Sequence, residues 1–312
     1  MPFLPVGGQA VIEGVMMRSP SKMSVAVRRP DGTLATLDRP FSSVTQRHKA
    51  LGLPVVRGAV SLFETMFLGI TALNFSADEA AREPAQEVKK KAGAFEQIAQ
   101  GGVVIVSLAL GLLMFVVLPA RATAWLGFHD RVGFGLVDGA FRLTAFVLYL
   151  ALISQWKDMR RVLGFHGAEH KAIHALEANA PLTPESVQSF TRFHPRCGTS
   201  FLFLVVVVSI LVFTAIGKPQ GIGDHLLRIA CMPLIAGVAF EFIRLSGRYY
   251  DKGWVKVLVW PGLQFQRLTT REPDLTMCAV AIAALERVTD DPVVVKLQAA
   301  GADVRPEVAF VQ

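Results

Sequence analysis

Residues 198–217 read GTSFLFLVVVVSILVFTAIG, twenty positions without a charged side chain. A helix of that length crosses about 30 Å of hydrocarbon. A helix buried in a soluble core seldom stays apolar on every face for so long. The stretch therefore predicts a mainly α, polytopic membrane protein. A second run of the same character, IAQGGVVIVSLALGLLMFVVLP, fills 98–119. Two weaker runs bring the expected transmembrane helices to about four. VGFGLVDGAFRLTAFVLYLALISQW (132–156) contains Asp138 and Arg142, which share a helix face and neutralise each other. LLRIACMPLIAGVAFEFI (226–243) contains Arg228, close enough to one end to snorkel, and Glu241 near the other. Ionisable groups within spans point to function; near an end, interfacial solvation explains them equally well. A further run, VVRGAVSLFETMFLGITALNFSA (55–77), is interrupted by Arg57, Ser61, Glu64 and Thr65. It reads as an interfacial or packed amphipathic helix rather than a span.

Composition agrees: 52% of residues are hydrophobic, 18% are charged and mean hydropathy is +0.43. The net charge of +7 would suggest nucleic acid in a soluble chain. Here the basic residues fall between the apolar runs, so the expected partner is the lipid bilayer and no nucleic acid. Twelve Lys/Arg precede the first span, six lie in 157–197 and eight follow residue 245. The opposite connections hold only Arg121, Arg131 and Lys218. The positive-inside rule puts the basic side, with both termini, in the cytoplasm. The N-terminal residues show no cleavable signal pattern. Three cysteines without regular spacing, Cys197, Cys231 and Cys278, argue against a disulfide framework.

The expected organisation is a cytoplasmic region at 1–97, two transmembrane helices at 98–156, a cytoplasmic His/Cys connection at 157–197, two more helices at 198–245 and a cytoplasmic region at 246–312. Within the first region, MSVAVRRPDGTLATL (23–37) alternates around Pro-Asp-Gly and predicts a β-hairpin. Residues 78–91 read as a solvated helix or linker, 253–273 as a membrane-surface segment broken at Pro-Gly, and 275–288 as a terminal helix.

The chemistry concentrates in FHGAEHKAIHALE, 165–177. At about 100° per residue, His166, Glu169, His170, His174 and Glu177 fall within about 140° of a helix circumference. His166 and His170 have the i, i+4 spacing that lets two imidazoles hold one ion. Glu169 could be a ligand, an orienter of an imidazole, or a base. RFHPRCGTSF (192–201) adds His194 and Cys197, three apart in a loop, a spacing common among zinc ligands. Cys197 directly precedes a helix and follows Arg196, which should lower its pKa. His166, His170, His194 and Cys197 thus form a candidate His₃Cys zinc set, and His174 is the weakest addition. The plain alternatives are a solvated polar helix face and a surface loop. A third segment, GGQAVIEGVMMRSP (7–20), has two glycines suited to a close backbone approach, and Glu13 and Arg18 around an apolar stretch. Its plain reading is a turn and strand with a surface ion pair. Without a following Lys-Ser/Thr it is not a phosphate loop.

GGQAVIEGVMMR (7–18), RGAVSLFETMFLGITALNFSA (57–77), FHGAEHK (165–171), FHPRCGTSF (193–201), EFIRLSGR (241–248) and PGLQFQRLTTREP (261–273) together resemble the YqhQ-type family of multipass bacterial membrane proteins. Its members are labelled predicted metal-dependent enzymes of unknown substrate. The resemblance implies roles for Glu13, Arg18, His166, Glu169, His170, Glu177, His194, Arg196, Cys197 and Glu241, and none for His174. Ser19 replaces a usual Gly, and Ala279 stands where the family tends to place Glu.

Three functions compete. In the first, a zinc enzyme of hydrolytic type acts at the cytoplasmic membrane surface on a lipid-linked or membrane-protein substrate. Zinc would lower the pKa of a water, Glu169 or Glu177 would accept its proton, and Arg196 or Arg18 would stabilise negative charge. In the second, four protein ligands close a structural site in a membrane scaffold or assembly protein. In the third, Asp138, Arg142, Arg228 and Glu241 line a transport path. Four spans without repeat symmetry rank that last.

Overall fold

In the computed structural model the described residues are 4–82, 94–128, 130–249 and 252–299. Four strands form the N-terminal region: β1 (Gly7–Val11), β2 (Gly14–Arg18), β3 (Lys22–Arg28) and β4 (Leu34–Pro40). They pair antiparallel in chain order. The expected hairpin is β3–β4, closing at Arg28 opposite Leu34. The Gly-Gly segment is a second hairpin, with Val11 opposite Gly14 and Glu13 in the left-handed region of the turn at φ 52°.

The sheet is buried on both faces. Val15, Met17 and Ala26 point to one side, Val11, Met16, Met23, Val25 and Val27 to the other. A period of two would leave one side polar in a sheet facing water. Here β2 and β3 are buried almost throughout because helices cover both sides. Burying each large aliphatic side chain contributes at most about 1.5–3 kcal/mol.

After a short α1 (Val44–Arg47) and a 3₁₀ turn comes α2 (Val56–Ala80). Its C-terminal part lies on the second face of the sheet: Ala72 joins that core, Gly69 meets Gln9 and Ser76 accepts from the N–H of Ile12 at 3.3 Å. Its other side exposes Phe63, Met66, Phe67 and Ile70. The first long apolar helix consists of α3 (Ala94–Leu112), a π-helical turn (Leu113–Val117) and α4 (Leu118–Trp125). Pro119 has no N–H for the carbonyl four residues back, which loosens the turn there. Next follow α5 (Arg131–Ile153), α6 (Lys157–Glu177) and α7 (Pro184–Gln188). The remaining helices are α8 (Gly198–Ile216), α9 (Ile222–Ala230), α10 (Met232–Arg248), α11 (Gly253–Thr269), α12 (Leu275–Thr289) and α13 (Pro292–Ala299).

Five helical stretches among the described residues are long and apolar enough to cross a membrane: Val56–Ala80, Gly101–Trp125, Arg131–Ile153, Gly198–Ile216 and Ile222–Ser246. Four match the expected spans; α2 joins them by length and composition alone, and its C-terminal half lies on the sheet. Gly135 and Gly139, one turn apart on α5, let α8 approach until an added Cβ would sit 2.0 Å from Thr214 Oγ1 and 2.7 Å from Ile210.

Three local expectations need correction. Arg228 does not snorkel; it is fully buried, donates to the Gly217 carbonyl at 2.7 Å and lies 3.6 Å from Asp138. Asp138 already holds Arg142 through two bonds of 2.9 and 3.2 Å, so this carboxylate draws both arginines inward. Residues 253–273 are not broken at Pro261, which sits inside α11; the helix ends only at Thr269, and 270–274 are non-helical. The helix at 275–289 is not terminal, since α13 follows. Of the expected linker at 78–91, residues 83–91 lie outside the described residues.

The other face of the sheet carries the site. It packs on α6 and α12 through Phe165, Ala168, Ala172, Cys278, Ala281 and Leu285. Glu13 fastens the β1–β2 turn to α6 through Arg161 at 2.5 Å, with Arg28 at 3.3 Å.

Candidate metal centre

The candidate ligands come from α6 and from the loop that leads into α8. α6 ends as its sequence suggests: Asn179 takes φ 51°, and Ala180 N–H reaches back to the Ala175 carbonyl at 2.9 Å. Thr183 then caps α7, accepting from Ser186 N–H at 3.3 Å. The chain returns through 189–197 alongside α6. Gln266 of α11 fixes that return: its Oε1 accepts from His194 N–H at 2.8 Å and its Nε2 donates to the His194 carbonyl at 2.7 Å. Cys197 caps α8, with Sγ accepting from Thr199 N–H at 3.4 Å.

Two groups of donor atoms result, each with all atoms within 4.8 Å of one another: His166, His170 and Cys197; and His174, Glu177 and His194. The four residues expected as one set are thereby divided. His194 joins the neighbouring group, although its ring centroid is only 5.7 Å from that of His170. The rings of His166 and His170 lie 4.5 Å apart, as do those of His174 and His194.

Backbone carbonyls set the tautomers in the first group. His166 Nδ1 donates to the Thr269 carbonyl at 2.7 Å, and His170 Nδ1 donates to the Arg192 carbonyl at 2.6 Å. A carbonyl only accepts, so each Nδ1 carries a proton, and each Nε2 can present a lone pair. This carbonyl-oriented imidazole is the usual support of a metal ligand. His166 Nε2 lies 3.2 Å from Cys197 Sγ. His170 Nε2 is buried with no hydrogen-bond partner among the described residues. Leaving a buried donor or acceptor unpaired costs about 1–3 kcal/mol, and a bound ion removes that cost.

The electrostatics match. Burial lowers the His166 pKa, but the Cys197 thiolate and Glu169 outweigh it and lift it to about 9. Burial raises the Cys197 thiol, but the imidazoles of His170 and His166 bring it well below its usual value. Without an ion the pair is an imidazolium beside a thiolate; the thiolate is the form that binds metals, and an ion taken up by His166 displaces the Nε2 proton. Glu169, 3.9 Å from His166 Nε2, is raised by burial against the pull of His170 and His166.

Gly8 answers the question posed by the Gly-Gly segment. Its backbone lies against Glu169 and donates an N–H to that carboxylate. An added Cβ would fall 2.9 Å from Glu169 Cγ and 2.7 Å from the Met16 carbonyl. The close approach expected for a ligand is thus made to Glu169.

In the second group, Glu177 Oε2 is 3.5 Å from His194 Nε2, and Glu177 Oε1 is ion-paired with Arg196. Arg196 also donates to the Leu4 carbonyl at 3.0 Å, and burial lowers its pKa to about 10. Burial lowers His174 to about 4 and His194 to about 3, with neighbouring imidazoles adding to it.

The structure does not bring all the candidates together. Arg18 shares a strand with Met17 but points to the opposite face, toward α2, with its guanidinium 5.1 Å over the Phe41 ring. Burial lowers its pKa and Glu64 opposes that. Glu13 is spent on Arg161 and Arg28, which hold its carboxyl below the usual range. Glu241 pairs with Arg57 through bonds of 2.7 and 2.6 Å, away from the histidines. Conversely, His174 sits within the second group. The orienting carbonyls of Thr269 and Arg192 carry no sequence signal, because any residue supplies one. The loss of helix after Thr269, which frees its carbonyl, could have been suspected from the Pro at 273.

No solved structure matches the chain. It is 31% identical over 288 residues, 88% of this chain and 89% of the relative, to the "Uncharacterized protein YqhQ" of Bacillus subtilis (strain 168). Residues 53–291 match the family described as "Protein of unknown function (DUF1385)". That match takes in both donor groups and all five long apolar stretches, and the chain belongs to this DUF1385, YqhQ-type family.

Proposed function

We propose that the protein is a zinc-dependent, multi-pass membrane enzyme of hydrolytic type. Its centre lies at the cytoplasmic surface of the cell membrane, both termini are cytoplasmic, and the substrate is lipid-linked or a membrane protein. The observation that carries this is the first donor group: two imidazoles with Nδ1 protons fixed by carbonyls, and a thiolate. Two nitrogens and a soft sulfur suit zinc. Three protein ligands leave a fourth position open, as catalytic zinc sites do. A structural site in a scaffold, the alternative, needs a fourth protein ligand, and His194 groups elsewhere. Transport ranks lower, because Arg142 is held by Asp138 and by the Phe115 and Val116 carbonyls.

Zinc held by His166, His170 and Cys197 would supply a Lewis acid that brings the pKa of a water toward neutrality. Glu169 is the group placed to take a proton, at Oε2. Its burial raises its pKa toward the range useful to a general base. Arg196 supplies positive charge nearby, partly balanced by Glu177.

The test is zinc content of the detergent-purified chain together with hydrolysis of a panel of amphiphilic ester and phosphoester probes. Wild type is expected to hold zinc. His170→Ala and Cys197→Ser should lose it, whereas Glu169→Gln should keep it and lose about 10²–10⁴-fold in rate. A wild-type chain that takes up no zinc on reconstitution overturns the reading.

A further inference from the structure

We propose that the protein holds a second divalent cation, at His174, Glu177 and His194, beside the first. The centre is then dinuclear; this deepens the zinc-enzyme reading and rests on it.

The second group is built as a site in its own right. Its three donor atoms lie within 4.8 Å of one another. Glu177 and His194 are nine-tenths or more buried, and His174 is half-buried. His194 Nε2 has no hydrogen-bond partner among the described residues, and its 3.5 Å separation from Glu177 Oε2 is too long for a hydrogen bond. That separation equals the edge between two ligands about 2.0–2.1 Å from one ion, which is roughly 3.3–3.5 Å. His174 Nε2 donates to the Phe193 carbonyl at 2.9 Å, leaving its Nδ1 lone pair to the site.

Two features oppose occupancy. Arg196 places a positive charge on Glu177, but on Oε1, leaving Oε2 to the site. Arg196 N–H donates to His194 Nδ1 at 3.3 Å; ligation through Nε2 moves the ring proton to Nδ1 and gives up that long contact.

The donor sets differ, so the two ions differ in behaviour. The first set has a thiolate and prefers a soft or borderline ion; the second, two imidazoles and a carboxylate, suits zinc, iron or manganese alike. The buried imidazoles of His170 and His194 form the seam between them. Adjacent ions stabilise both the attacking and the leaving oxygen in an in-line displacement. That favours a phosphoester or a similarly anionic ester as substrate.

Cobalt(II) distinguishes the two sites, because only the Cys197 site can give a thiolate-to-cobalt charge-transfer band. The full-length, metal-stripped chain in detergent is titrated with cobalt, and bound cobalt is counted by elemental analysis. Two ions per chain are expected; one saturates the thiolate band, and the other adds absorption without it. His174→Ala and Glu177→Gln should each reduce the count to one and keep the band. Cys197→Ser should remove the band. One ion per chain in wild type, with the band present, overturns the second site and leaves the zinc-enzyme reading standing. Two ions that persist in both His174→Ala and Glu177→Gln also overturn it. No bound cobalt overturns both.

Discussion

At the scale of single residues, the site depends on how closely the backbone can approach α6. Gly167 lies one position from His166, and a Cβ there would meet the Arg271 carbonyl at 2.0 Å. The Arg271 N–H in turn donates to the Leu163 carbonyl at 2.8 Å. This non-helical segment follows the Thr269 carbonyl that meets His166 Nδ1. Backbone cannot swing aside as a side chain can. Gly167→Ala should therefore cost about 1–3 kcal/mol and weaken zinc binding by loosening His166. Thermal denaturation of the metal-free chain, with zinc affinity measured in parallel, checks both. Unchanged affinity would show that the carbonyl does not position the ring. Lys171 is a contrasting case. It belongs to the His-rich segment yet is buried and anchored to Glu272 and to the Gln188 carbonyl, so its contribution is to hold α6 rather than to act chemically.

At the scale of elements, the apolar helices were legible because composition alone carries the signal. The run at 198–217 is apolar on all faces, and α8 spans Gly198–Ile216. What composition hides is which way a buried charge turns. Arg228 could reach an interface from its sequence position; the structure turns it to Asp138 and the Phe213 ring, 5.0 Å away. Arg142 meanwhile takes the Phe115 and Val116 carbonyls at 2.5 and 3.2 Å, in the π-turn that Pro119 follows. Asp138 thus serves two arginines on different helices, a pairing no local pattern encodes. Asp138→Asn leaves both without a counter-charge and should destabilise the helical part by about 3–5 kcal/mol. Unfolding in mixed micelles reads that loss; a change below about 1 kcal/mol would mean that the carbonyls suffice.

The face geometry of α6 was also legible. Its period puts His166, His170 and His174 in one row, and the rings stand in that row. The four expected ligands fall into two groups of donor atoms, because helical spacing orders residues along an axis without saying where a returning loop meets them. His194 enters near His174 rather than completing the first group. Arg18 fails for the converse reason: strand alternation sends it to the face opposite Met17, so nearness in sequence to Gly8 does not bring it to Glu169.

At the scale of the whole molecule, the sheet region and the helices meet through a few ionic ties as well as the apolar core. Asp291 accepts from Ser19 Oγ at 2.8 Å, Ser21 N–H at 2.9 Å and Ser21 Oγ at 2.5 Å. Glu13 ties the sheet to α6. Burial raises Asp291, but its donors win and its pKa lies below the ordinary value; hydrogen bonds from Arg161 lead the lowering of Glu13. A carboxyl depressed in the folded state stabilises above its unfolded pKa, about 4, and loses that contribution as pH falls through its folded value. Between pH 5 and pH 2 the sheet should therefore come loose from α6 and α12 before the apolar helices unfold. Hydrogen exchange resolved by segment would register early loss of protection in 7–40. Simultaneous loss throughout the chain would argue against these ties.

The central claim is the donor set His166, His170 and Cys197. The most direct measurement is zinc K-edge X-ray absorption on the purified chain loaded with one equivalent of zinc. One sulfur at about 2.3 Å with nitrogen and oxygen at about 2.0–2.1 Å is the predicted first shell, with the sulfur lost in Cys197→Ser. A first shell without sulfur, or zinc that washes away under mild dialysis, would contradict it.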